Sequence, residues 1–164
     1  TCSAAAVNGG TYETVARAIH EDYLARARQL GITGSAVTEW DDLDPGTQES
    51  NRRAADGAVA ALRLVGCVLA PLYGWDGTGF AFSEDELEVL ARAEHERWSE
   101  DRRRAGWTYA AARDNDRRRH PALVPWDELP EHEKAKNRES SAELPAVLAR
   151  AGFELIRVAP SAAG

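Results

Sequence analysis

Apolar residues recur at steps of three and four positions in the first part of the chain. They are Val15, Ile19, Tyr23, Ala27 and Leu30. This period places them on one face of an α-helix, which Gly31 can end in the left-handed conformation. A second helix is predicted to begin at Asp44 and Pro45, a favourable cap and first helical residue, and to end before Gly66.

The second half of the chain predicts the same pair of helices. Ser83 can cap the third helix while Glu86 reaches back to it, and Gly106 ends it. The fourth helix contains Pro145, so we predict a break or kink between Ser140 and Pro145. A short apolar run follows each closing glycine, "CVLAPL" in the first half and "FELIRV" in the second, and these runs predict two short neighbouring strands.

Three separations between residues in the first half recur in the second. His20 to Gly31 and His95 to Gly106 both span 11 positions, Trp40 to Asn51 and Trp126 to Asn137 both span 11, and Asn51 to Gly66 and Asn137 to Gly152 both span 15. One two-helix unit buries too little surface to be stable alone. We therefore predict a mainly α fold with short β-strands, in which two pseudo-symmetric helix-loop-helix repeats form one globular domain.

The repeats are predicted at residues 11–72 and 83–159, with a connector at 73–82. Residues 1–10 are predicted to be a disordered N-terminal segment, since small residues without a hydrophobic period dominate them. The halves differ most in one loop, which takes 20 steps from Gly106 to Trp126 but only 9 from Gly31 to Trp40. A cleft lined by equivalent residues of both repeats is the expected place for a ligand.

Composition narrows the choice of partners. The 164 residues carry a net charge of −7 with a pI near 5.1, which argues against a general binder of nucleic acid or of membrane surfaces. The chain has no apolar run long enough to span a membrane, and Cys2 and Cys67 have no metal or redox spacing, so we expect a cytoplasmic protein. The sequence contains no methionine, which indicates a piece of a longer protein whose other domains are candidate partners.

Three common catalytic or metal-binding motifs are absent. Leu24 and Ser99 stand four residues after His20 and His95, where a zinc-binding H-E-x-x-H motif needs a second histidine. The segment "DGTGF" lacks the lysine of a phosphate-binding loop, and Ser140 lacks the glycines of a nucleophile elbow. We therefore expect no enzyme activity, no metal and no cofactor.

An ordered set of short motifs fills the second half: HERW at 95–98, GWTY at 106–109, HPALVP at 120–125, NR at 137–138 and AGF at 151–153. In this combination the second half resembles the RyR domain, the repeat first described in ryanodine receptor calcium channels and also found in bacterial and phage proteins. The first half lacks GWTY and HPALVP, and it resembles a degenerate copy in a prokaryotic-type tandem. The residues that it keeps are His20, Glu21, Tyr23, Trp40, Asn51 and Gly66.

The resemblance implies a mostly helical, non-catalytic module of a larger regulatory protein. It also implies a ligand sensor that binds an adenine-containing nucleotide in the cleft between the copies, either ATP or an NAD-derived nucleotide such as ADP-ribose. Tyr23 and Trp98, which occupy the same register in the two copies, are then expected to bracket the base. The alternative class is a protein-interaction or oligomerisation module whose cleft is simply packed.

The candidate aromatic and amide residues each have a second, structural interpretation. Tyr23 and Trp98 lie on apolar stripes, so they can belong to the core instead of stacking on a base. Asn51 and Asn137 recur at the same place in the two halves. Their amides can bond the backbone or can read an adenine edge, which offers a donor and an acceptor together.

Arginines are the candidates for phosphate contacts. Arg52 and Arg138 directly follow the two asparagines, and Arg113 lies in the long loop of the second half. Arg102 follows Trp98 by one helical turn on the same face, so the phosphates of a nucleotide stacked on that ring are within its reach. The alternative is that these charges form an ordinary solvated surface.

Overall fold

The computed structural model of the protein describes residues 4–73 and 79–158, with side chains from residue 10 onward. Within these residues the helices are α1 (Ala4–Gln29), α2 (Pro45–Leu64), α3 (Glu84–Arg104) and α4 (Glu131–Arg150). Short 3-10 turns at Trp40–Asp42 and Trp126–Glu128 precede α2 and α4. The strands are β1 (Cys67–Pro71), β2 (Thr108–Tyr109), β3 (Arg119–His120) and β4 (Phe153–Arg157). The predicted mainly helical fold with short strands is confirmed.

The two halves have the same order of main elements. Each half runs from a long helix through a 3-10 turn into a second helix and then into a strand, β1 in the first half and β4 in the second. The second half adds the two-residue strands β2 and β3, which pair in parallel within its longer loop. The repeated spacings in the sequence therefore correspond to a repeated order of structural elements.

The predicted helix signals are confirmed. The Asp44 side chain accepts a hydrogen bond from the first turn of α2 at 3.0 Å. At the start of α3, Ser83 and Glu86 form a reciprocal capping box, which satisfies two backbone N–H groups that the helix itself leaves free. Gly31 and Gly106, which follow α1 and α3, have φ angles of 65° and 81°, the left-handed region that favours glycine.

The structure differs from the sequence predictions in two places. The predicted break in the fourth helix is absent, because α4 continues through Pro145 to Arg150. Pro145 is buried together with Val147 and Leu148, and the packing of this turn outweighs the one backbone hydrogen bond that proline cannot donate. α1 begins at Ala4, inside the segment 1–10 that the sequence predicts to be disordered, because alanine has the highest helix propensity.

Parts of three predicted segments lie outside the described residues. They are residues 1–3 of the N-terminal segment, residues 74–78 of the connector and residues 159–164 at the C-terminal end. Cys2 therefore also lies outside.

The strands that end the two halves pair with each other. β1 and β4 are antiparallel, with Cys67 opposite Arg157 and Leu69 opposite Leu155. Cys67 and Leu155 face the interior, while Val68 on the other face is exposed. The predicted pair of neighbouring strands is confirmed, and it links the C-terminal ends of the two halves.

One hydrophobic core receives side chains from all four helices. Its buried members include Val15 on α1, Leu62 on α2, Leu90 on α3 and Leu148 on α4. A second cluster of buried residues lies under the long loop of the second half, where it joins α3 to the 3-10 turn. Its members are Ala91, Ala122, Trp126 and Leu129. The two halves therefore pack together along their helices, and the longer loop has a small core of its own.

Equivalent histidines link the first helix of each half to the loop that follows it. His20 bonds the Thr38 carbonyl through Nε2 at 2.8 Å, and His95 bonds the Val124 carbonyl through Nε2 at 2.9 Å. Both histidines are buried. These bonds hold each loop against its helix, which gives the recurrent histidines a structural role.

Candidate functional site

A cavity of about 450 Å³ opens where the four helices meet. Its wall includes equivalent residues of both halves, as a pseudo-symmetric cleft requires. They are Tyr23 and Trp98, Asn51 and Asn137. Pockets that bind small molecules in proteins have volumes of about 300–1,000 Å³, so this cavity has the size of a ligand site.

The predicted aromatic pair is brought to this cavity. Tyr23 is 40% exposed and is therefore not a core residue, and Trp98 is half-buried. The Trp98 ring stacks on His95 at 5.9 Å and meets the edge of His120 at 4.9 Å. These neighbours hold the indole in place while part of the ring faces the cavity.

The two asparagines also line the cavity, and their orientations are matched. Asn51 donates from Nδ2 to the Thr47 carbonyl at 3.0 Å, and Asn137 donates from Nδ2 to the Glu133 carbonyl at 2.9 Å. The predicted backbone bond is thus present in both halves. Among the described residues no donor reaches either Oδ1 atom, so each amide keeps an acceptor for a ligand.

Arg102 lines the cavity beside Trp98. Its guanidinium carbon lies 5.8 Å from the Trp98 ring centroid and 4.8 Å from that of Trp107. Burial, and secondly the charge of Arg113, lower the pKa of Arg102 from its usual value. Within the described part of the chain, Arg102 has no ion pair and no hydrogen bond to a protein acceptor.

The other cavity arginines are already neutralised. Arg26 pairs with Asp22 at 2.5 Å, and Arg97 pairs with Glu94 at 2.6 Å and with Asp101 at 2.8 Å. A buried positive charge without a carboxylate is unfavourable unless an anion approaches it. Arg102 is therefore the cavity residue best suited to a negatively charged ligand.

Arg113 stands beside the cavity and not in its wall. It is exposed, and its Nε donates to Asn115 Oδ1 at 2.9 Å. Its charge lowers the pKa values of both Arg102 and His120. The structure thus places Arg113 on the exposed loop of the second half and outside the cavity wall.

Arg52 and Arg138 occupy a different place from the one expected of phosphate-binding residues. Arg52 pairs with Glu13 at 2.7 Å and Arg138 pairs with Glu88 at 2.9 Å, and neither arginine lines the cavity. The Arg52 hydrogen bond lowers the pKa of Glu13, and the hydrogen bonds of Trp126 and Arg138 lower the pKa of Glu88. These two equivalent ion pairs tie together the helices of each half.

Sequence reasoning missed two features of the cavity wall. Asp22 stands at the register where the second half has Arg97, and it binds Arg26 and also Arg150 on α4 at 2.7 Å. Gly57 lets Arg97 lie against α2, because a Cβ atom there would stand 2.4 Å from Arg97 Cδ. When the two halves are aligned on their histidines, the sequence shows Asp22 where the other half has Arg97, a reversal of charge. The close approach of Arg97 to Gly57 depends on packing, which the sequence does not show.

The described residues meet the requirements of neither a metal site nor a membrane-spanning helix. In them no group of three or more His, Cys, Asp or Glu side chains is arranged to hold a metal ion. No helix among them combines the length and hydropathy needed to cross a membrane.

The fold and the cavity together define a helical module with a ligand-sized cleft between two similar halves. Residues 82–157 match the family model of the RyR domain. The match begins just before α3 and ends with β4, and it covers slightly less than half of the chain. The second half of the protein is thus an RyR-type module, as the resemblance of its motifs implies.

Proposed function

We propose that the protein is a non-catalytic, ligand-sensing module that binds an adenine-containing nucleotide in the cavity between two RyR repeats. ATP and an NAD-derived nucleotide such as ADP-ribose are the candidate ligands. In this proposal residues 11–72 are a degenerate first copy, and the module belongs to a larger regulatory protein of the prokaryotic type in the cytoplasm.

The equivalence of the two halves supports a tandem arrangement. The histidine bonds to loop carbonyls and the pairs Arg52–Glu13 and Arg138–Glu88 recur at matching positions. Such detailed agreement goes beyond a shared order of helices, since each contact needs the same residue types at the same register. The first half therefore retains the scaffold of the repeat while it lacks the long loop.

One observation carries the proposal of a nucleotide: a half-buried arginine without a carboxylate partner lies against an aromatic ring in the cavity wall. Arg102 and Trp98 provide this combination. A base that stacks on Trp98 gains about 1–3 kcal/mol, and a guanidinium one turn away is suited to bind phosphate oxygens in bidentate fashion. Tyr23 offers a second ring from the opposite half.

The amides are compatible with adenine as the base. Each asparagine Oδ1 is available as an acceptor for the exocyclic amine of adenine, and the choice of adenine over other bases with such an amine rests on the resemblance to RyR repeats. A ligand in this cavity touches both halves at once, so its binding is coupled to the packing of one half against the other. That property suits a sensor within a larger protein.

Thermal-shift measurements with a nucleotide panel test this function. A ligand at 100 times its dissociation constant stabilises a protein by about 2.7 kcal/mol. We expect ATP or ADP-ribose to raise the melting temperature, and GTP and CTP to do so less. If no nucleotide of the panel shifts the melting temperature, the proposed function is wrong.

The exposed face of the terminal strands supports a second candidate function, a protein-interaction or oligomerisation module. Val68 and Ile156 are opposite each other in the sheet and are 39% and 46% exposed, and Val158 is 51% exposed. Exposed apolar groups that are contiguous often mark an interface. Sedimentation tests this candidate: a dimer that Val68→Lys dissociates supports it, and a monomer at all concentrations contradicts it.

A further inference from the structure

One end of the cavity is surrounded by basic and aromatic groups from the second half. Arg102 lies between the rings of Trp98 and Trp107. The ring of His120 lies 4.9 Å from that of Trp98 and 6.3 Å from that of Trp107. Arg102 and His120 therefore converge beside the rings of Trp98 and Trp107, at a place that we term the basic end. The charge of Arg113 on the loop acts on both of them.

His120 is held as a neutral donor. Its Nδ1 atom accepts a hydrogen bond from the Ala122 backbone N–H at 3.1 Å, so Nδ1 carries no proton and Nε2 carries one. Burial first, and then Arg113 on the loop and Arg102 on α3, lower the pKa of His120, while Glu133 on α4 acts in the opposite direction. The neutral ring thus presents an N–H group without adding a second full charge.

The donors at the basic end are free to meet a ligand. Within the described residues neither the Arg102 guanidinium nor His120 Nε2 has a hydrogen-bond acceptor. If these nitrogens were buried as well, they would be buried polar atoms without a partner, and they are not. Solvent therefore reaches them.

We propose that Arg102 and His120 together bind a phosphate group, and that this site fixes the direction in which a nucleotide lies in the cavity. The phosphate faces the loop of the second half, and the base extends toward Tyr23. The direction of the nucleotide rests on the proposed function, whereas the anion site does not. No other cavity arginine of the described chain competes for the phosphate, since Arg26 and Arg97 are paired with carboxylates.

The difference between AMP and adenosine measures the phosphate site directly. By calorimetry at about pH 8, where the phosphate is fully ionised, the unmodified protein is expected to bind AMP at least about tenfold more tightly than adenosine, since charge-assisted hydrogen bonds have that strength. Arg102→Gln is expected to remove this preference, so that the variant binds AMP and adenosine with equal affinity. Arg103→Gln is the matched control, because Arg103 is the exposed neighbour on the same helix.

Two substitutions separate the donor of His120 from its shape. His120→Phe keeps a ring but removes the N–H, and it is expected to lower the AMP preference several-fold. His120→Gln restores an amide N–H near the position of Nε2 and is expected to recover the preference. Circular dichroism and melting curves confirm that both variants fold. Equal AMP preference in the unmodified protein and in His120→Phe contradicts a donor role.

Protonation provides a further readout. The enthalpy of AMP binding should be the same in buffers of different ionisation enthalpy, because a neutral His120 takes up no proton on binding. If the protein takes up a proton on binding AMP and His120→Gln abolishes that uptake, the claim that His120 binds as a neutral donor is wrong.

Pyrophosphate alone distinguishes failure of the anion site from failure of the proposed function. If pyrophosphate stabilises the protein and Arg102→Gln removes the effect, the anion site stands even where adenosine does not bind. If adenosine binds, but AMP binds no more tightly and pyrophosphate gives no stabilisation, the nucleotide proposal survives and the anion site is overturned. If none of the three probes binds, both proposals are wrong.

Discussion

The two halves of the protein differ in the residue that follows the cavity aromatic by one helical turn. Seven residues after His95 stands Arg102, half-buried at the edge of the cavity. Seven residues after His20 stands Ala27, which is 2% exposed and packs inside. The loop that follows is also longer in the second half, and it supplies Arg113 and His120. Positive charge is therefore concentrated on one side of a pseudo-symmetric cleft.

The features that the halves share have a structural role. A buried histidine bonds a loop carbonyl in each half, and a glutamate on the first helix pairs with an arginine on the second. Arg102 and Ala27 are a difference at the cavity. Both halves contribute to the shared core, whereas the proposed function assigns the recognition of a negatively charged ligand to the second half.

The largest expected effect tests whether the two halves contribute equally to the shared hydrophobic core. Leu62 and Leu148 are 1% exposed and follow the two asparagines by the same 11 positions. Leu62→Ala and Leu148→Ala should each lower the free energy of unfolding by about 2–5 kcal/mol, as measured by urea denaturation. Leu64→Ala is the control, because Leu64 is 69% exposed. A large cost in one half and almost none in the other would mean that the halves do not share one core.

The next effect concerns nucleotide affinity and compares the two aromatic rings in the cavity wall, Trp98 and Tyr23. Trp98→Ala should weaken nucleotide binding by about 1–3 kcal/mol and leave the helical circular dichroism intact. Tyr23→Ala should weaken it less, since the smaller ring has no arginine beside it among its ring contacts. Tyr109→Ala, a change in an exposed aromatic outside the cavity, is the control for both. Unchanged affinity in Trp98→Ala excludes the cavity as the binding site.

A smaller effect concerns the equivalent ion pairs. Glu13→Gln and Glu88→Gln should each cost about 0–1 kcal/mol in the free energy of unfolding, because the pairs are partly exposed. The Glu88 change should cost the more of the two, since Trp126 Nε1 donates to Glu88 Oε1 at 2.8 Å, whereas the equivalent Trp40 acts only weakly on Glu13. Denaturation of the two variants under one set of conditions measures this, and a larger cost at Glu13 would contradict the reasoning.

The smallest effect is a dependence on pH from the pair of Glu86 with Arg157 in the second half. Ion pairing with Arg157 and the Ser83 backbone N–H lower the pKa of Glu86 from 4.5 to about 2, whereas the register of Arg157 is occupied by Pro71 in the first half. Because the unfolded carboxyl takes up a proton at higher pH than the folded one, this contribution to stability is present above pH 4.5 and is lost as the pH falls toward 2.

Glu86→Gln tests that pH dependence. The variant should show a shallower fall of the unfolding free energy with decreasing pH than the unmodified protein, since glutamine does not titrate. Identical pH profiles would show that the pair with Arg157 contributes nothing to folding.

Local signals in the sequence were sufficient for most elements of the fold. Asp44 and Ser83 mark helix starts because a cap depends only on the first turn that follows it. The fate of Pro145 depends on its burial in the core, which no local pattern reveals. Arg52 and Arg138 have the right chemistry for phosphate, but the sequence does not show that a glutamate on the neighbouring helix already binds each one. Tyr23 and Trp98 were identifiable because the resemblance to RyR repeats marks the same register in both halves, and Arg102 because it follows Trp98 by one turn on the same helix face.

Calorimetric stoichiometry tests most directly the claim that one ligand binds between the two halves. Titration of the protein with ATP and with ADP-ribose should give one binding event per chain for the true ligand, and Trp98→Ala and Tyr23→Ala should each weaken that same event. Two independent events per chain, or an event that only one of the two substitutions affects, would place the ligand within a single repeat and contradict a shared cavity.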